Sequence, residues 1–295
     1  MDSFNIYMLC DILLPLDIES LIKMLQITPV YHHFIQTSNH VTEWFWREYF
    51  EYHEYLPQET NLKKALQLRG LYRWCPDKYD YQEFINLKQL NLSYKKISDI
   101  PDSLSRLSNL TILSLHDNKI SDIPDSLSHL TNLEKLYLHN NQISEISESF
   151  SRLTNLKELS LDGNQISEIP ESFSCLTNLI ALYLNSNQIN VIPESLSLLI
   201  KLKVLELSHN QISVIPGSLS HLTNLRMLYL DSNQISVIPG SLSHLTNLRE
   251  LLLCDNQISE IPESLSRLIN LTRSQLNRNR ITLIPESLRH LPIYI

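Results

Sequence analysis

Leu156-Lys-Glu-Leu159-Ser-Leu161-Asp-Gly-Asn164-Gln-Ile166-Ser-Glu-Ile169-Pro170-Glu-Ser-Phe173-Ser-Cys-Leu176-Thr-Asn178 is one copy of a 23-residue frame, LxxLxLxxNxIxxIPxSLxxLxN. The frame is written nine times between Leu87 and Ile295. A fixed period of this size marks a stacked array, in which each unit buries its apolar side on its neighbours. It points to an extended binding surface rather than to a globular enzyme core.

Each stretch of the frame has a physical reading. In Leu-x-x-Leu-x-Leu the fourth and sixth positions share one face of a strand, because side chains alternate along an extended chain. That face points into the array. The Asn at position nine (Asn118, Asn141, Asn164, Asn187, Asn210, Asn233, Asn256 and Asn279) ends the strand. Its amide can satisfy backbone groups exposed at the turn, so stacked copies predict a hydrogen-bonded ladder. The isoleucines at eleven and fourteen return to the core. Pro at fifteen fixes φ and opens a return segment, which Ser-Leu-x-x-Leu closes as a short helical turn. Nine strands stacked side by side make a parallel sheet with a spacing of ~4.8 Å. Return segments are wider than strands, so the sheet lines the inside of an arc.

Three repeats depart from the frame: Lys95 replaces the first Asn, Ser147 replaces the third Pro, and Ser274 replaces the last position-four Leu. The sequence closes on Leu291-Pro292-Ile293-Tyr294-Ile295, which predicts an apolar end prone to fray or to be covered by a partner.

The frame resembles the leucine-rich repeats of the 23-residue IPxSL kind found in Ras-group-related and in bacterial or viral repeat proteins. The match takes in about two-thirds of the chain. It implies an α/β solenoid with the parallel sheet on its concave face. It says little of function, because proteins of this family bind partners of many kinds.

Composition narrows the partners. The net charge is −8 and there is no basic stripe, so no nucleic acid is expected. No run of 18 apolar residues exists, so no membrane span is expected. The N-terminus has Asp2 and Asp11 and no Lys or Arg before Lys23, which argues against a secretory signal. Cys10, Cys75, Cys175 and Cys254 are far apart, as suits reduced thiols in the cytoplasm. Cys175 and Cys254 fall at ordinary repeat positions without a partnering base, so no enzyme activity and no cofactor are expected. The sequons at Asn109 and Asn270 are discounted, since each places its middle Leu in the core.

Positions two, three, five, seven and eight face out of the concave sheet. Position five carries Tyr137, Tyr183 and Tyr229 in alternate repeats, with Glu206 between the last two. Met227 stands at position three; His139, Asp162 and Asp231 stand at position seven. Tyrosines ~10 Å apart would form a contact row, since Tyr combines a large area with a hydroxyl. The competing reading is that Tyr is a good strand residue copied by duplication. On another edge, positions thirteen and sixteen are mostly acidic but become Val191, Val214, Val237, Gly217 and Gly240 in the middle repeats. Duplication explains this best, because 211–226 and 234–249 are identical. His221 and His244 share a place in adjacent repeats and read as a solvated ladder, so no metal site is expected.

Residues 1–86 lack the frame and carry all three tryptophans. Residues 1–50 read as short helices, and 51–86 as a helical linker that caps the first repeat. Asp11-Ile-Leu-Leu-Pro-Leu-Asp-Ile-Glu-Ser-Leu-Ile-Lys-Met-Leu-Gln-Ile-Thr28 followed by Phe45-Trp46-Arg47-Glu48-Tyr49-Phe50 resembles an F-box, without its opening Leu-Pro and with Pro15 inside the first helix. The resemblance implies a small all-α domain that docks on the adaptor Skp1 through Phe4, Leu9, Ile12, Leu16, Leu21, Ile22 and Trp46. It implies the substrate-recognition subunit of a Skp1–cullin–F-box ubiquitin ligase. The alternative is a leucine-rich repeat scaffold or signalling adaptor whose N-terminal helices only cap the solenoid.

Overall fold

The structure, a computed structural model, describes residues 86–295, which form one compact unit. The F-box-like contacts Phe4, Leu9, Ile12, Leu16, Leu21, Ile22 and Trp46 lie outside the described residues.

Each repeat opens with a three-residue strand at positions three to five: β1 (Gln89–Asn91), β2 (Ile112–Ser114), β3 (Lys135–Tyr137), β4 (Glu158–Ser160), β5 (Ala181–Tyr183), β6 (Val204–Glu206), β7 (Met227–Tyr229), β8 (Glu250–Leu252) and β9 (Arg273–Gln275). A tenth strand, β10 (Ile293–Tyr294), follows. All ten pair in parallel, in chain order. The register is the frame itself, so Leu113 faces Leu136 and Leu136 faces Leu159. The array is an open α/β solenoid whose return segments are short 3-10 turns rather than α-helices.

The frame leucines and isoleucines build one continuous core. In the fourth repeat Leu159, Leu161, Ile166, Phe173 and Leu176 are fully buried. Phe150 and Phe173 take the place of Leu in adjacent repeats and pack with ring centroids 6.3 Å apart. Pro124 holds φ −67° and ψ 143°, and a five-residue 3-10 turn, Asp125–His129, follows. Ser147 adopts nearly the same angles without a ring, φ −65° and ψ 143°. Its Oγ accepts the Ser149 N–H at 3.1 Å, a cap that no proline can make.

The strand ends on a left-handed residue in every repeat, with φ between 53° and 61° at position eight from Tyr94 to Arg278. This position is thus the turn, not part of the flat face. An L-residue held there costs about 1–2 kcal/mol. The neighbouring Asn holds the turn closed. Asn187 Oδ1 accepts the Ile166 N–H of the preceding repeat at 3.0 Å, and its Nδ2 donates to Leu161 O at 3.0 Å and Leu184 O at 3.1 Å. The same pattern joins Asn141, Asn164, Asn210, Asn233 and Asn256 to their preceding repeats, all buried. A second, exposed ladder runs through position twenty-three, where Asn132, Asn155, Asn178, Asn224, Asn247 and Asn270 each donate to a carbonyl one repeat back.

The C-terminal segment adds a short strand to the sheet and still ends on exposed apolar residues, Tyr294 and Ile295. Leu291 is buried, and Ile293–Tyr294 extends the sheet by pairing with β9. Leu276 N–H donates to Tyr294 O at 2.7 Å. Ser274, at the departed position four, is buried, and its Oγ finds no partner among the described residues.

Candidate protein-binding face

The side of the sheet opposite the core is lined by positions three, five and seven. Strand register brings Tyr137, Glu158, Tyr183, Glu206, Tyr229 and Glu250 onto β3 to β8 in order. Aromatic and carboxylate groups therefore alternate at every strand, at ~4.8 Å steps. Their two columns, positions three and five, must be read together to see this. Glu158 and Glu250 were not among the sequence candidates for that reason.

Tyr137, Tyr183, Tyr229, Glu206, Met227, His139, Asp162 and Asp231 are all half-buried. Ser160, Ala181 and Leu252 are buried and form a floor between them. Glu158 pairs with Lys135 at 3.0 Å. Tyr229 donates its hydroxyl to Glu250 Oε2 at 2.6 Å, and Arg273 lies 3.6 Å from the same carboxylate. Asn185 Nδ2 donates to Glu206 Oε2 at 2.5 Å. Among the described residues no Lys or Arg forms an ion pair with Glu206 or Asp162. Burial raises the pKa of both carboxyls above the ordinary carboxylate range, and raises those of the three tyrosines. Half-buried, unpaired acids of this kind favour a cation brought from outside.

Position seven has two duties. Asp162 Oδ1 accepts the Asn185 N–H, Asn185 Oδ1 the Ser208 N–H, and Asp231 Oδ1 the Cys254 N–H, each at 2.8 Å. These side chains tie one repeat to the next as well as lining the face. Nearer the N-terminal end, His116 and His139 stack with centroids 4.3 Å apart and planes 9° apart. His139 is pushed below the usual imidazole range by burial, then by the neighbouring His116.

Elsewhere the surface is plainer. His221 and His244 are exposed. Val191, Val214 and Val237 are exposed along one edge. There Ser241 and Ser264 donate to the carbonyls of Gly217 and Gly240 at 3.1 and 3.0 Å. In the second repeat the equivalent Ser126 donates to the Asp102 carboxylate at 2.6 Å. The glycine repeats keep the link by another acceptor. Cys175 and Cys254 are free thiols. Burial, with Asp231 beside it, pushes Cys254 up to about 11, so it stays protonated at neutral pH. No helix among the described residues is long and apolar enough to cross a membrane.

A stack of 23-residue units with one open sheet face defines a solenoid of the protein-binding class. Models described as leucine-rich repeats match residues 85–143 and 181–235, 131–175 and 154–199, and 247–268, together more than half of the chain. The chain belongs to the leucine-rich repeat family. No curated protein matches it. Among solved structures it is similar to an internalin from Listeria monocytogenes, with 34% identity, a TM-score of 0.65 and coverage of 71% of this chain and 61% of that one. A leucine-rich repeat protein of Leptospira interrogans is 28% identical with a TM-score of 0.62, covering 82% of this chain and 68% of its own. A plant peptide hormone receptor in complex with RGF2 is 32% identical with a TM-score of 0.65, covering 71% of this chain and 36% of its own. The chain thus spans less than two-thirds of the length of the internalin and of the receptor.

Proposed function

We propose that this chain is a cytoplasmic, non-catalytic recognition subunit of a Skp1–cullin–F-box ubiquitin ligase, holding its target on the concave sheet face. The observation that carries target binding is the Tyr–Glu alternation from β3 to β8, where Glu206, and Asp162 beside it, form no ion pair with a Lys or Arg among the described residues. The fitting occupant is an extended segment with Lys or Arg side chains that reach these carboxylates while its backbone and apolar groups lie across the tyrosines. A relative of the same fold held in complex with RGF2 is consistent with such a use of the solenoid. The ligase role rests on the F-box resemblance of residues 4–50. In it the chain contributes proximity: a docked target sits at high effective concentration beside the transferring enzyme.

Two experiments test the two halves separately. Purified full-length protein should retain recombinant Skp1 in a pull-down, and an Ile12→Asp, Leu16→Asp variant should not. Retention by neither, from a folded protein, leaves a scaffold without ligase function. Tyr137→Ala, Tyr183→Ala and Tyr229→Ala together should abolish capture of target proteins while Skp1 retention persists. Undiminished capture by the folded triple variant would move the binding site off this face.

A further inference from the structure

We propose that His116, Asp117 and His139 form a binding site for a divalent transition-metal ion of the zinc or nickel kind, at the N-terminal part of the open face. One ligand atom from each of the three residues lies within 4.8 Å of the others. The site is a product of the stacking. His116 and His139 are the same frame position in adjacent repeats, so the in-register pairing of β2 and β3 sets the imidazoles side by side. Asp117 follows in the left-handed turn, φ 54°, which folds its carboxylate back onto His116 Nδ1 at 2.8 Å. Asn140 Nδ2 donates to the other oxygen of Asp117 at 3.0 Å and fixes it there.

The chemistry suits a borderline ion. Two imidazoles and one carboxylate select zinc, nickel, cobalt or copper over calcium and magnesium, which take oxygen shells. The Ser160 hydroxyl donates to Asp162 Oδ2 at 3.1 Å and lies 3.0 Å from His139 Nδ1, so it accepts an Nδ1–H and leaves the lone pair on Nε2. The ion would sit between His116 Nδ1 and the Asp117 oxygen that face each other at 2.8 Å. The stacked rings would tilt from parallel to converging, across neighbouring strands ~4.8 Å apart. Three protein ligands leave a coordination position open to solvent or to a bound partner. The site does not depend on the ligase reading or on the tyrosine row.

Calorimetric titration of the metal-stripped full-length protein with zinc chloride tests the site, with nickel chloride as a second probe and calcium chloride as the negative one. His139→Ala should remove one equivalent of zinc or weaken it at least tenfold, and so should His116→Ala. His221→Ala should leave the isotherm unchanged. Cobalt(II) should give a visible absorption band that both His116→Ala and His139→Ala lose. Identical isotherms and cobalt spectra for the wild type and a folded His116→Ala, His139→Ala double variant would overturn the proposal, because any ion then binds elsewhere.

Discussion

Asn187→Ala is the sharpest test of what holds the array together. Asn187 reaches into the preceding repeat with both ends of its amide. Its Oδ1 is the acceptor for the buried Ile166 N–H at 3.0 Å, and no other bond to that N–H exists among the described residues. Removing it orphans one buried donor, at about 1–3 kcal/mol. The donor end behaves differently. Leu161 O keeps Asn164 Nδ2 at 2.9 Å, and Leu184 O keeps Asn210 Nδ2 at 2.9 Å. These carbonyls lose one of two bonds and stay satisfied, at roughly 0.5–1 kcal/mol each. The expected loss is about 2–5 kcal/mol. In an array whose stability is a sum of units and nearest-neighbour interfaces, that loss falls on the fourth–fifth repeat interface.

Asn155→Ala is the matched control. It removes the same side chain at the same 23-residue spacing, but from the exposed ladder, where one Nδ2 donates to Thr131 O at 2.9 Å. Water replaces that bond, so the expected cost is below about 1 kcal/mol. Urea unfolding followed by far-UV circular dichroism separates the two. Asn187→Asp keeps the acceptor but sets a carboxylate against two carbonyl oxygens, and should do no better than Ala. Equal losses at 155 and 187, or a loss below 1 kcal/mol at 187, would refute the reasoning.

Asp162→Asn should stabilise the protein at neutral pH. Burial raises the folded-state pKa of Asp162, so its contribution to stability is fully present below the unfolded carboxyl value and is lost as pH rises through the folded one. At pH 7 the carboxylate is therefore a cost, and Asn185 shows that an Asn at this place keeps the backbone bond. The advantage of the variant should grow from pH 3.5 to pH 7 in urea midpoints, and a constant or shrinking difference counts against it. Ser274→Ala removes a buried hydroxyl that has no partner among the described residues and should gain about 1 kcal/mol, read by thermal melting; a lower melting temperature would mean that the hydroxyl is satisfied after all.

Most of the fold was legible because it rests on positions that repeat. Leu at four and six, Asn at nine and Pro at fifteen each act on the backbone of their own or the preceding repeat, so a single frame states their role. The face was only half legible. Its contacts join different residues of different repeats, such as Tyr229 with Glu250, or Asn185 with Glu206, and depend on a register that one column of letters does not show. The left-handed turn at position eight was hidden because Tyr, Asp, Asn, Gly, Ser, His and Arg all occupy it. There the Asn ladder enforces the geometry, and the residue itself does not advertise it. The tenth strand was missed because two residues, Ile293 and Tyr294, carry no frame. The stacking of His116 on His139 depends on the pairing of β2 with β3, which the sequence does not display, whereas His221 and His244 are exposed as their solvated-ladder reading expects.

The duplicated repeats show which part of the unit is free to change. Residues 211–226 and 234–249 are identical, and the identity stops at the strand. Beyond it, Met227-Leu-Tyr-Leu-Asp-Ser-Asn233 stands against Glu250-Leu-Leu-Leu-Cys-Asp-Asn256. The two leucines and the Asn, which face the core or bind the turn, are kept. Every difference falls at positions three, five, seven and eight, the three columns of the open face and the turn beside them. The adjacent repeats thus differ at the face, whereas Tyr183 and Tyr229, two repeats apart, agree as copying of repeat pairs would leave them. The change also creates a contact that identical repeats could not hold: Tyr229 bonds Glu250. A return segment kept letter for letter beside a strand rewritten at its outward positions is the pattern of a fixed scaffold carrying a variable recognition surface.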